Sequence, residues 1–405
     1  MVATRMRLGH RRRGEPPRRE YLSRCVEDPL LGGASLGTLR RRPHARGSRI
    51  CVMPDGRFAN PDCSLGTDPR SDPRMVEAFA PFGIDALLPE LPVSVDSPLD
   101  DRLAFTAETE EMISTVFEAF AQAMPIADGV TTTTVTIPGG DGQDLTLYVS
   151  RPDTAVALPC VVHLHGGGMA ILSAADTAIM RGCESLAATG LVVVGVEFRN
   201  SAGKLGVHPF PAGLNDCAAA VRWVFANRER LGITHLIVSG ESGGGNLTLA
   251  VMHKAKREGW LHEIAGAYAQ CPYISNRWRE QPDEFPSMRE NDGYFISCQQ
   301  CAVMASIYDP EYAHSGDPTC WPGVSTDKDL NGMPPHVISV NELDPLRDEG
   351  LGYYRHLVRA GVAAIGRVVA GTCHGGDMLL GGAMPDVFAA SLRDVSGFAK
   401  SLALS

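Results

Sequence analysis

The stretch Thr234-His235-Leu236-Ile237-Val238-Ser239-Gly240-Glu241-Ser242-Gly243-Gly244-Gly245-Asn246 decides the fold. Residues 234–239 are a β-rich run, residues 246–256 are helix-prone, and residues 240–244 between them read Gly-x-Ser-x-Gly. On a tight strand-to-helix turn, with glycines where a side chain would clash, Ser242 projects its Oγ into a cleft. The pentapeptide alone says little in a chain with 43 glycines among 405 residues. Upstream, however, His165-Gly166-Gly167-Gly168 follows another apolar run at 160–164. A glycine turn after a strand offers the backbone N–H groups that an acyl-transfer serine needs.

The reading extends from this pair in both directions. Apolar runs at 130–137 and 145–150 flank the hairpin signal Pro138-Gly139-Gly140-Asp141-Gly142, and further runs follow at 160–164, 191–198, 236–239, 264–270, 337–340 and 365–369. Helical patterns fall at 174–189, 212–230, 244–258, 346–360 and 383–400. Short continuous apolar strands alternating with helices predict an α/β fold, a mostly parallel eight-stranded sheet covered by helices on both faces. Two segments break the alternation. Residues 75–124 carry an apolar helical face ahead of the first strand, and residues 275–335, rich in Trp, Pro, Asp and Tyr, separate two strands. Both are expected to cap the cleft, with Phe79, Phe82, Trp278, Phe285, Tyr294, Phe295 and Trp321 as candidate walls, although aromatics in a cap more often form a small core of its own. The expected organisation is a basic extension at 1–52, an arm with cap helices at 53–125, and a catalytic domain at 126–405 with the cap insertion at about 275–335.

With 44% apolar and 21% charged residues the chain has the composition of a globular protein, and no run approaches the roughly 20 apolar residues of a membrane span. Thirteen arginines and four acids give residues 1–50 about +9; the whole chain carries −10, so the rest carries about −19, which argues against nucleic acid as a partner of the body. No apolar signal-peptide core follows the arginines, and glycines, prolines and acids interrupt any transit-peptide helix, so the segment is read as a disordered extension. Eleven scattered cysteines, several inside apolar runs (Cys160, Cys217, Cys271), fit a soluble protein of a reducing, cytoplasmic compartment. Cys298 and Cys301 have no second pair at metal-ligand spacing. His163 and His165 share a strand face without a third ligand, so no metal is expected.

An ester-cleaving serine also needs a base, a group to orient it, and donors for the oxyanion. On a sheet of this type these groups belong at the carboxyl ends of successive strands, in the order serine, acid, histidine. Asp344 is the candidate acid: it falls in the loop after 337–340, and Pro345 suits the first turn of the next helix. Asp348 and Glu349 are read as first-turn acids favoured by that helix's dipole. Of twelve histidines, His374 alone lies after the last strand and downstream of the acid. The expected oxyanion donors are the N–H groups of Gly166, Gly167 and Gly243, with Gly168 serving the turn and His165 bracing the glycine loop. Together these residues would carry out two-step acyl transfer.

His165-Gly166-Gly167-Gly168, Gly240-Glu241-Ser242-Gly243-Gly244-Gly245-Asn246, Asp344-Pro345-Leu346-Arg347-Asp348-Glu349 and His374-Gly375 together resemble the hormone-sensitive-lipase-like esterases of the α/β-hydrolase fold. The likeness runs from about Ser64 to the C-terminus, through Phe198-Arg199-Asn200, His208-Pro209-Phe210-Pro211 and Asn291-Asp292-Gly293-Tyr294-Phe295. Family members commonly have Gly-Asp-Ser-Ala-Gly at the elbow. Glu241 and Gly243 depart from it, which marks a branch and leaves the chemistry intact, because position 243 contributes its backbone N–H. The resemblance implies carboxylester hydrolysis without cofactor or metal, a cap built from the two segments above, and Glu241 as a supporting residue. The expected partners are a small-molecule ester (soluble short-chain, aryl or bulky) and a second copy in a homodimer, with neither nucleic acid nor membrane. Fold and triad leave the acyl substrate open: a macrolide lactone, a phthalate-type diester, an amide or a thioester would use the same groups, and a non-catalytic ligand receptor is the alternative without chemistry.

Overall fold

The eight apolar runs all become strands of one sheet in the computed structural model, which describes residues 56–402; the extension expected at 1–52 lies outside the described residues. The strands are β1 (Val130–Pro138), β2 (Asp144–Pro152), β3 (Leu158–Leu164), β4 (Val192–Val196), β5 (Ile233–Glu241), β6 (Gly266–Gln270), β7 (His336–Leu343) and β8 (Ala364–Cys373). Their order is β1-β2-β4-β3-β5-β6-β7-β8. β1 and β2 pair antiparallel, β2 pairs antiparallel with β4, and the remaining pairs are parallel.

The central strands are continuously apolar because both faces are covered. Leu236 and Val238 of β5 face one core and Ile237 faces another, and β3 divides in the same way between Val162 and Val161. α4 (Ala212–Ala226), α5 (Gly243–Glu258) and α9 (Arg347–Arg359) cover the first core; α3 (Thr177–Ala187) and α11 (Pro385–Ser401) cover the second. Each fully buried valine or leucine here contributes about 1.5–3 kcal/mol relative to exposure.

Two segments lie outside this three-layer body. The N-terminal one carries α1 (Pro73–Phe79) and α2 (Leu99–Ala123); the other, between β6 and β7, carries α6 (Ser287–Glu290), α7 (Cys298–Tyr308) and α8 (Asp327–Leu330). α2 and α7 pack on each other through Leu103, Phe105, Ile113, Val303, Met304 and Ile307, and the cluster includes Ile171 and Leu172 just beyond the glycine turn. The chain leaves the sheet after Gln270, and Tyr273 and Ile274 still belong to the main core.

Most of the aromatics proposed as cleft walls are core residues. Phe79, Trp278, Tyr294 and Trp321 are fully buried. Trp278 stacks on Tyr273 (3.9 Å, 6°), and Trp321 meets Tyr308 edge-on while its Nε1 donates to Asp309 Oδ2 at 3.0 Å. Phe295 stacks on Phe79 at 5.3 Å, Phe285 packs against the main core, and Phe82 remains exposed against Phe120. Rings this large stabilise most when fully desolvated, which is why the insertion builds an interior of its own. Cys298 and Cys301 are buried free thiols in α7, and all nine described cysteines are free.

Candidate active site

Ser242 stands between the end of β5 and the start of α5 with φ +57° and ψ −117°, a conformation that side-chain-bearing residues rarely adopt. The turn is held by Ser242 N–H donating to Gln270 O (2.9 Å) and by Ser242 O accepting from Asn246 N (3.0 Å) and Tyr273 N (3.2 Å). Its glycines are there for close approach: a Cβ on Gly243 would lie 2.5 Å from Met169 N and 2.7 Å from Gly168 N, and one on Gly244 would collide with Leu164 O. The glycine turn and the elbow therefore touch backbone to backbone. Asn246, in the first turn of α5, donates from Nδ2 to Tyr273 O (2.9 Å) and Cys320 O (3.1 Å).

The candidate acid and base meet at the ends of β7 and β8. β8 extends to Cys373, so His374 is the first residue beyond the sheet, and its Nδ1 lies 2.8 Å from Asp344 Oδ2. Asp344 is fully buried, and its other oxygen accepts from Leu346 N at 2.8 Å. Burial works against the imidazolium, but the Asp344 carboxylate outweighs it and holds the His374 pKa well above the ordinary histidine value. With Nδ1 engaged, Nε2 is the nitrogen left for Ser242. Cys271, directly after β6, is the third neighbour: its Sγ, an Asp344 oxygen and a His374 nitrogen lie within 4.8 Å of one another. Burial pushes its thiol pKa up, which keeps it neutral.

The histidine loop has a support that no motif announced. Gly375 N–H donates to Asn341 Oδ1 (3.1 Å), and Asn341 Nδ2 donates to Thr372 Oγ1 (2.7 Å) and Asp377 Oδ1 (2.9 Å). Ser391 of α11 closes the chain on Asp377 Oδ2 at 2.5 Å. Asn341 directly follows the apolar run of its strand, where sequence reads only the end of a strand.

The glycine turn differs from the expectation at two residues, Gly166 and Gly168. Gly166 N–H already has an acceptor, Glu241 Oε1 at 2.9 Å, so it is not a donor waiting for an oxyanion. The other Glu241 oxygen faces His163 Nε2 at 3.3 Å, and burial raises the Glu241 pKa. Gly167 and Gly168 have φ of +96° and +62°, and among the described residues nothing accepts from their N–H groups. His165 stacks on Phe198 (4.2 Å, 11°) and shares a 2.8 Å hydrogen bond between Nδ1 and Gly166 O; burial lowers its pKa to about 4, so the ring is neutral and Nδ1 donates. His163 and His165 thus serve different partners and do not converge on one point.

The acids after Asp344 do more than complement a helix dipole. Asp348 Oδ2 accepts from Ser287 N at 2.7 Å, and Glu349 accepts from Ile274 N at 2.8 Å and from Ser275 Oγ. Both tie the cap insertion to α9. Glu349 is buried, and desolvation raises its pKa to about 8.

Against known proteins, a family described as alpha/beta hydrolase fold matches residues 161–377. A solved structure titled brefeldin A esterase, a bacterial homologue of human hormone sensitive lipase, is 44% identical, covers 87% of this chain and 99% of its own, and superimposes with a TM-score of 0.84. The structure of esterase Est22 is 36% identical with a TM-score of 0.75, covering 83% of this chain and 99% of its own. Esterase LipI of Mycobacterium tuberculosis is 30% identical over 52% of this chain; the match spans 63% of that relative's length.

Proposed function

This chain belongs to the hormone-sensitive-lipase-like family of the α/β-hydrolase fold, and from that membership we propose that it is a carboxylesterase acting through an acyl-enzyme on Ser242. The observation that carries the reading is the buried 2.8 Å contact of Asp344 with His374 beside a serine held at φ +57°. His374 Nε2 takes the proton as Ser242 Oγ attacks the ester carbonyl. Asp344 fixes the tautomer and stabilises the imidazolium, which then protonates the leaving alcohol. Water repeats the sequence on the acyl-enzyme.

The oxyanion is assigned to the N–H groups of Gly167, Gly168 and Gly243, with Gly166 held back by Glu241. What supports the assignment is that Gly167 and Gly168 N–H have no acceptor among the described residues and that Gly168 N lies against Gly243. Removing one such donor typically raises the barrier by about 3 kcal/mol.

The proposed substrates are soluble short-chain, aryl or bulky esters. The name of the brefeldin A esterase favours one second reading, opening of a lactone by the same groups. A homodimer is proposed, with β8 as an open edge of the sheet carrying exposed Ile365 and Val368, to be read by sedimentation equilibrium. Among the described residues no helix is long and apolar enough to cross a membrane, and nine free thiols support a cytoplasmic location. The test is hydrolysis of p-nitrophenyl esters from acetate to palmitate alongside a lactone, with Ser242→Ala as control. Undiminished turnover in that variant would remove Ser242 from the mechanism.

A further inference from the structure

The cap insertion lies against the loop that carries the triad acid. Asn291, the residue after α6, is fully buried, and its Nδ2 donates to Glu342 O at 3.2 Å and to Asp344 O at 3.1 Å. Ser287, at the other end of α6, donates from Oγ to Pro345 O (2.8 Å) and accepts Asp348 N (3.1 Å). The opposite side of Asn291 faces the N-terminal arm, where its Oδ1 accepts from Arg70 Nη2 at 3.3 Å. Arg70 is ion-paired with Asp68 (2.7 Å) and Glu290 (2.6 Å), all three with little solvent access, and Glu290 continues to Arg347 (2.8 Å) at the start of α9. Arm, cap and acid loop, far apart in sequence, therefore meet at one side-chain amide.

We propose that Asn291 is a positioning residue for the triad acid: it holds the Asp344 main chain so that the carboxylate meets His374 Nδ1, and Arg70 locks Asn291 in place from the arm. The proposal rests on the esterase reading above. Held at its carbonyl by Asn291 and at one carboxylate oxygen by Leu346 N, Asp344 has one direction left for the other oxygen. Without the amide, the Glu342 and Asp344 carbonyls each keep one donor, Arg347 Nη1 (3.0 Å) and Arg347 N (3.1 Å), and lose the one that ties them to the cap, so the loop relaxes. A small displacement among catalytic groups lowers turnover steeply while leaving substrate binding alone.

The experiment compares Asn291→Ala, Asn291→Ser and Arg70→Lys with Gln299→Ala, which removes the hydrogen bonds joining α7 to Leu91 and Val93 without touching the acid loop. Active sites are counted with a serine-directed phosphonate, so that misfolded protein does not enter kcat. The groups facing His374 are Asp344, Cys271 and Glu241, and all four variants keep them. Asn291→Ala is expected to lower kcat per active site about tenfold (~1.4 kcal/mol) with KM unchanged. It should also move the acid limb of the kcat/KM pH profile and shift the low-field proton resonance of the His374–Asp344 hydrogen bond. Asn291→Ser, keeping one donor, recovers part of the loss; Gln299→Ala changes Tm only. Should Asn291→Ala fail to fold, Asn291→Ser and Arg70→Lys carry the same readouts. Wild-type kcat, pH limb and proton resonance in the Asn291 variants would overturn the proposal whatever their Tm. A wild-type protein inert on every ester would instead overturn the esterase reading, and the resonance would still report on Asn291.

Discussion

Replacing Glu241 by alanine separates the geometry of the glycine turn from its charge. The carboxylate accepts the buried Gly166 N–H at 2.9 Å and faces His163 at 3.3 Å. Alanine leaves that amide without a partner, a cost to stability of about 1–3 kcal/mol. It also frees the peptide that sets the direction of the Gly167 and Gly168 N–H groups. Complete loss of one oxyanion donor is worth about 10²–10³ in kcat, so misdirecting donors that are still present should lower kcat by roughly 10–100-fold with KM nearly unchanged. Charge acts with the opposite sign. A carboxylate beside a developing oxyanion is repulsive, and its removal alone would speed the reaction. A net fall therefore isolates the geometric role. Glu241→Gln keeps an acceptor for Gly166 N–H and should stay within about threefold of wild type, because only the ionic component is lost. The assay is kcat and KM on a p-nitrophenyl ester, with the affinity for a trifluoromethyl ketone that forms a tetrahedral adduct. Unchanged kcat and adduct affinity in Glu241→Ala would refute the reasoning, and a glutamine variant as impaired as alanine would move the role from acceptor to charge.

Because the His374 pKa is held well above its ordinary value by Asp344, the neutral base appears only as pH rises, and the acid limb of kcat/KM should lie on the alkaline side of a free histidine. Asp344→Asn should lower kcat by about 10⁴, whereas Asp348→Asn, whose contacts are to Ser287 and Arg347, should keep most of it; single-turnover kinetics across pH tests both. Glu349 has a folded pKa of about 8 against 4.5 unfolded, so the folded chain keeps a proton that the unfolded chain releases, and its stability is lost as pH rises through that window. Glu349→Gln should match wild type in acid and exceed its Tm above pH 8, by about 2–4 °C for each kcal/mol the ionised carboxylate costs, where a parallel Tm–pH curve would contradict the assignment. A chain beginning at Met53 should retain kcat/KM, since among the described residues the arm's contacts with the cap begin at Arg57, whose guanidinium donates to Asp292 O; a large drop would give residues 1–52 a structural part.

Much of this was legible before any coordinates. Strands buried on both faces, such as 191–198 and 236–239, produce unbroken apolar runs, and short loops follow the strand ends, so all eight strands and the meeting of Asp344 with His374 beyond β7 and β8 could be read in one dimension. The donor assignment at Gly166 could not. It depends on a through-space bond from a side chain beyond the next two strands of the sequence, and nothing local to His165-Gly166-Gly167-Gly168 records it. Glu241 looked like a mark of lineage, yet its length is what lets it reach the glycine turn. The cap aromatics stayed open between wall and interior for a related reason: Trp278 and Trp321 have the same composition whether they line a cleft or fill an interior, and only their neighbours decide. Asn341 and Asp377 carried no signal, because buried polar pairs between a strand end and a loop have no spacing rule.

Asn246 has one more consequence. Its amide fastens Tyr273 and Cys320 side by side, so the chain leaving β6 and the chain returning from α7 are pinned to a single post on α5. A segment closed at its neck can be lengthened, shortened or exchanged at small entropic cost, since doubling a flexible loop adds only about 0.6 kcal/mol. The stretch between Asn291 and that post can then diverge without disturbing the contacts that Ser287 and Asn291 make with the Asp344 loop. Swapping residues 300–318 between related chains, while leaving Ser287, Asn291 and both fastened carbonyls in place, is the engineering route this arrangement opens.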